Sequence, residues 1–171
     1  MARVHETPEA VMSTNNSATR SVALPSAKFF VGGVYALCVL ASLGYFAAVI
    51  LLTDQDPYSN DGPVESMITA VSVGTAALVL GVVVVSTTVR NAERAKVGAI
   101  VLGTLSVLTV IVFWSGVPGV LGACAAWLAG LTRGGRPLDG AARVAGLVGA
   151  FIALLNVVLI IGAFTADFFA G

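Results

Sequence analysis

The densest group of residues able to do chemistry is an acidic run, Asp54-Gln55-Asp56-Pro57-Tyr58-Ser59-Asn60-Asp61-Gly62-Pro63-Val64-Glu65. Its first, third and twelfth positions are carboxylates, the spacing with which a calcium loop wraps oxygen ligands around the ion. The sharp turn of such a loop is missing, because Ser59 stands sixth where glycine is needed, Tyr58 stands fifth and Pro57 intrudes. The run reads as a solvated acidic turn signalled by Asn60-Asp61-Gly62-Pro63. Gly134-Gly135, between Arg133 and Arg136, would offer backbone N–H groups to a phosphate, but no P-loop pattern follows. His5 is the only histidine, so a Ser-His-Asp or Cys-His arrangement has no base near the apolar stretches, and a histidine metal site has a single candidate ligand. Cys38 and Cys124 sit in apolar stretches, where a thiol behaves as a small hydrophobe. No catalytic, metal or cofactor-binding set emerges, and the expectation is a protein that is not an enzyme and carries no cofactor.

What remains inside the apolar stretches is uncharged: Tyr35, Tyr45, Ser42, Ser72, Thr104, Ser106, Thr109 and Asn156. Hydroxyls in apolar helices more often bond backbone carbonyls than do chemistry. Ion-coupled transporters, proton pumps and intramembrane hydrolases usually place ionisable groups within the bilayer. Between their ends these stretches hold no Asp, Glu, Lys, Arg or His, which argues against charge-driven machinery.

The elements that position these residues follow from composition. The 171 residues are 57% hydrophobic and 11% charged with zero formal net charge, and the mean hydropathy is +0.96. Such a chain takes lipid as its solvent, and its neutral balance gives no reason to expect a nucleic-acid partner. Residues 1–28 are polar and read as a disordered tail on the cytoplasmic side. The first apolar run starts only at Phe29 and is too long for a signal-peptide core, so it reads as a retained helix. Spans of about 20 apolar residues occur at 29–52, 67–89 and 144–169, and a longer run of 35 residues covers 97–131. As one helix that run would be roughly 52 Å long, far beyond a hydrocarbon core of about 30 Å. Ser115-Gly116-Val117-Pro118-Gly119 breaks it, since Pro118 removes a donor and disfavours helix at Val117. The fold expected is an all-α, polytopic bundle of five membrane segments, with 97–114 and 118–131 as a tight hairpin. The second arm is short enough to be either spanning or re-entrant.

Charge distribution supports this arrangement. With the amino terminus inside, Arg3, Arg20, Lys28, Arg90, Arg94, Lys96, Arg133, Arg136 and Arg143 all fall on the cytoplasmic side, as the positive-inside tendency requires. The carboxyl terminus is then outside, together with the acidic 53–66 loop and Asp167. A single span over 97–131 would push three arginines outward. Trp114, Phe164, Phe168 and Phe169 would sit near the outer interface and Trp127 near the inner one.

Helices in lipid associate where small residues let backbones approach. Ala70, Gly74, Ala77 and Gly81 recur at helical spacing in the second segment; Gly119, Gly122, Ala123, Ala126 and Gly130 in the fourth; Ala142, Gly146, Gly149 and Ala153 in the fifth. Asn156 continues the last stripe and should hydrogen-bond to a neighbouring helix. The segment Ala95-Lys96-Val97-Gly98-Ala99-Ile100-Val101 lines up with Ala142-Arg143-Val144-Ala145-Gly146-Leu147-Val148 as a faint parallel repeat, with Thr109 opposite Asn156. Basic starts, glycine-rich helices and a Pro-Gly hairpin over about 90–165 resemble small uncharacterised multi-pass membrane proteins of high-GC bacteria, a resemblance that carries over no site. The expectation is a non-catalytic accessory or assembly subunit or scaffold of the cell membrane. Its partners would be the lipid bilayer and a larger membrane complex or a second copy of itself. The alternative is a small channel or permease for an uncharged or lipidic solute, lined by Thr104, Thr109 and Asn156.

Overall fold

The structure, a computed structural model, describes residues 24–52 and 62–170, with the backbone alone at 52 and 167–170. The 1–28 tail therefore lies outside the described residues up to position 23, and the acidic loop up to position 61. The rest forms α1 (Ala27–Leu52), α2 (Pro63–Thr88), α3 (Ala92–Leu108), α4 (Val117–Leu128) and α5 (Ala141–Ala170), with a 3-10 stretch, Thr109–Ser115, between α3 and α4. Among the described residues the only extended pairing is an isolated bridge between Ser26 and Arg133, so the fold is all-helical.

Four helical spans are long and apolar enough to cross a membrane: Ala27–Leu51, Pro63–Thr88, Ala92–Ser115 and Ala141–Ala166. The fifth helix, α4, has only 12 residues. At a rise of about 1.5 Å per residue it is roughly 18 Å long, little over half a hydrocarbon core of about 30 Å. Four helices long enough to cross and one half-length helix thus stand where five membrane segments were expected.

The ends of the helices have local causes. α2 begins at Pro63, four residues before its apolar run, because proline suits the first helical turn and Glu65 sits favourably near the positive end of the dipole. Similarly, α3 begins at Ala92 because Asn91 caps it, its Oδ1 accepting from the backbone N–H of Glu93 at 3.0 Å and of Arg94 at 3.3 Å. Lys96 then pairs with Glu93 at 2.8 Å on the exposed first turn. The long apolar run breaks at Gly116, whose φ of +72° is open to glycine at little cost. α4 stops at Leu128, short of the expected 131, because Gly130 takes φ +74° in a Schellman closure. There Leu131 N–H donates to the Ala126 carbonyl and Gly130 N–H to that of Trp127, both at 3.0 Å.

The long helices surround α4. Eleven of its residues are buried, and it contacts α1, α2, α3 and α5. The connection to α5 folds back under it, with Leu138 N–H bonded to the Ala129 carbonyl and Arg133 N–H to that of Pro25, both at 3.0 Å. The latter bond joins this connection to the start of α1. The described basic residues, Lys28, Arg90, Arg94, Lys96, Arg133, Arg136 and Arg143, consequently share one end of the bundle, where α3 and α5 begin.

Candidate functional site

The most unusual place in the bundle is the amino-terminal end of α4, which lies against the middles of three long helices. A β-carbon at Gly116 would meet Cys38 of α1 at 3.0 Å, and one at Gly74 of α2 would meet the Ser115 carbonyl at 2.7 Å. Asn156 reaches the same place from the middle of α5. A helix that begins inside a bundle exposes backbone N–H groups without helical partners, and there is no bulk water to take them.

Each of these groups is satisfied. Val117 N–H donates to Ser115 Oγ at 3.3 Å, Pro118 has no N–H, and Gly119 N–H donates to Asn156 Oδ1 at 3.2 Å. Val120 N–H reaches the Gly116 carbonyl at 3.1 Å and starts the regular ladder. On the other side of the break, the Phe113 carbonyl accepts from Gly116 N–H at 3.1 Å and from Asn156 Nδ2 at 2.8 Å. Asn156 is therefore a cap supplied by another helix, holding both ends of the interruption with one amide. Cys38 Sγ adds a weak donor to Asn156 Oδ1 at 3.8 Å.

The neighbouring polar groups are equally committed. Thr75 Oγ1 donates to the Val71 carbonyl at 2.7 Å, so the 2.7 Å contact between Tyr35 and Thr75 has the Tyr35 hydroxyl as donor and links α1 to α2. Ser42 donates to the Cys38 carbonyl at 2.9 Å and Ser106 to that of Gly103 at 2.7 Å. Among the described residues no buried side-chain nitrogen or oxygen lacks a partner. The space lined by Tyr35, Cys38, Ser42, Ser115 and Gly116 is about 10 Å³, the room of a single water.

All ten residues expected at packing faces are buried: Ala70, Gly74, Ala77, Gly81, Gly122, Ala126, Gly146, Gly149, Ala153 and Asn156. Their partners belong to this chain. Gly122 and Gly149 face each other's carbonyls, Gly146 faces Ala129, and a β-carbon at Gly81 would meet Cys124 Sγ at 2.8 Å. In α3 too the approach is close: a β-carbon at Gly103 would meet the Ala145 carbonyl at 2.8 Å.

Thr104, Thr109 and Asn156 are not brought together around a common lumen. Thr104 is exposed on the outer face of α3, Thr109 bonds the Leu105 carbonyl of its own helix at 2.7 Å, and only Asn156 is buried in the interior. Gly135 uses its N–H in a turn to the Thr132 carbonyl at 3.0 Å, which removes it from any phosphate cradle. Among the described residues no three of His, Cys, Asp and Glu come together as a metal site. No signal in the sequence indicated that Phe113 and Gly119 would be the partners of Asn156, since both bonds use backbone atoms. Comparison with family models, curated proteins and solved structures gives no match to this chain.

Proposed function

We propose that the protein is a multi-pass protein of the cell membrane, with a cytoplasmic amino terminus, an external carboxyl terminus and α4 as a short fifth segment that brings the chain back to the cytoplasmic side before α5. In this reading it acts without catalysis, as an accessory or assembly subunit that meets its partner through the outer faces of its helices. The observation that carries the proposal is the self-sufficiency of the interior. The glycine seams and the buried amide are consumed by contacts within the chain, so new contacts have to be made outside.

The outer face of α1 suits that role best. Phe29, Leu40 and Leu51 are 77%, 64% and 80% exposed, and Gly32 and Gly44 have nothing within 4 Å of where a β-carbon would stand. A partner helix could approach there as closely as the internal helices approach one another. Purification in mild detergent should yield a partner in fixed stoichiometry, and Gly44→Leu should release it while leaving the thermal melt of this chain unchanged. A lone homo-oligomer that passes an uncharged solute in liposomes would replace this reading with the channel or permease. The mid-depth break favours that alternative, because interrupted helices often border transport sites. The space of about 10 Å³ at the break and the outward position of Thr104 weigh against it.

A further inference from the structure

The end of the bundle opposite the basic one holds a cleft of about 490 Å³ between Phe46 of α1, the first two turns of α2, Trp114 and Phe164 of α5. Its α2 wall supplies Glu65, Ser66 and Thr69, with Ala70 as the residue it shares with the small space below. The aromatic walls are held in place by neighbouring rings. Phe164 stacks on Tyr45 at a centroid distance of 4.2 Å and 13°, Phe46 meets Tyr45 edge-on at 5.3 Å, and Trp114 meets Phe113 edge-on at 5.8 Å.

We propose that this cleft binds an organic cation, a substituted ammonium on an apolar body, with its charge at Glu65 and its body among Phe46, Trp114 and Phe164. Three aromatic side chains beside one carboxylate suit a weakly hydrated cation, which gains from ring faces as well as from the acid. A bare or hydrated metal ion has no use for three rings, and among the described residues no cluster of metal ligands accompanies Glu65. Long-range electrostatics point the same way. Glu65 stands at this end, whereas the described basic residues Lys28, Arg90, Arg94, Lys96, Arg133, Arg136 and Arg143 share the opposite end, so the field here favours a cation over an anion. The cleft volume also exceeds what an inorganic ion fills, which leaves room for a body of several carbons. The inference goes beyond the accessory reading and does not depend on it.

The test uses the full chain carrying Trp127→Phe, so that Trp114 is the sole tryptophan, in nanodiscs of phosphatidylglycerol, which has no amine. Titration with benzyltriethylammonium should change Trp114 emission saturably. The Glu65→Gln variant should bind about fivefold more weakly, the loss of one exposed charge pair. The uncharged isostere with carbon in place of nitrogen should bind about tenfold more weakly than the cation, having lost both attractions. Equal responses to the cation and its isostere, or an unchanged affinity in a normally melting Glu65→Gln protein, overturn the proposal. Discs doped with phosphatidylethanolamine identify the source. Competition by that lipid supports an amine-headed lipid as occupant, and its absence supports a soluble cation.

Discussion

At the scale of single residues, Asn156 carries the most. Its amide oxygen and nitrogen each bond backbone of a different strand of the break, Gly119 and Phe113. Replacement by leucine leaves the Gly119 N–H without a partner in a site closed to water, whereas the Phe113 carbonyl keeps its bond from Gly116. One orphaned buried donor costs about 1–3 kcal/mol, so Asn156→Leu should destabilise by that amount in steric-trapping measurements in bicelles. Ser42→Ala is the contrast, because that hydroxyl only bonds a carbonyl already in its own helix; its effect should stay within about 0.5 kcal/mol. An equal loss for the two would remove the special role of Asn156. The inward direction of Asn156 was legible from its place on the Gly146, Gly149, Ala153 stripe. Its partners were not, because a sequence displays side chains at helical spacing and says little about which backbone groups a distant turn will orphan.

At the scale of elements, the long helices were readable because apolar runs of sufficient length have few alternatives in lipid, and the break because proline and two glycines fall within five residues. Less was visible of α4. Its true end depends on the left-handed conformation of Gly130, one glycine among 19 in the chain. Its near-complete burial depends on seams that only pair in three dimensions, such as Gly122 against Gly149. The seams make a graded prediction. A methyl at Gly122 meets the Gly149 carbonyl head on, so Gly122→Ala forces α4 and α5 apart and should cost about 1–3 kcal/mol by overpacking. At Gly44 a methyl meets nothing, and Gly44→Ala should be neutral or stabilise by up to about 1 kcal/mol through helix propensity. Equilibrium unfolding of both variants in one bicelle composition checks the order, and a neutral Gly122→Ala would mean that the seam is looser than its geometry.

At the scale of the whole molecule, the structure and the charges give separate constraints that meet in one topology. The bond from Arg133 to Pro25 brings the α4–α5 connection to the start of α1. That return requires α4 to travel back toward the basic end, although at 12 residues it is too short to span the thickness that the long helices cover. A half-length helix that completes the chain's return from the far end of α3 keeps the arginines after it with those before α3, which a single crossing over 97–131 would not. The proposed orientation then has a direct measurement. Cys38 and Cys124 are buried, so the native chain gives little background to an impermeant maleimide. Ser59→Cys, in the acidic connection, should react in intact cells; Asp139→Cys, in the basic connection, should react only after permeabilisation or in inverted vesicles. Labelling of both from one side would break the link between the charge asymmetry and the fold. The reversed pattern would keep the four-helix shell and its short returning α4, but with the basic end facing out, against the positive-inside tendency.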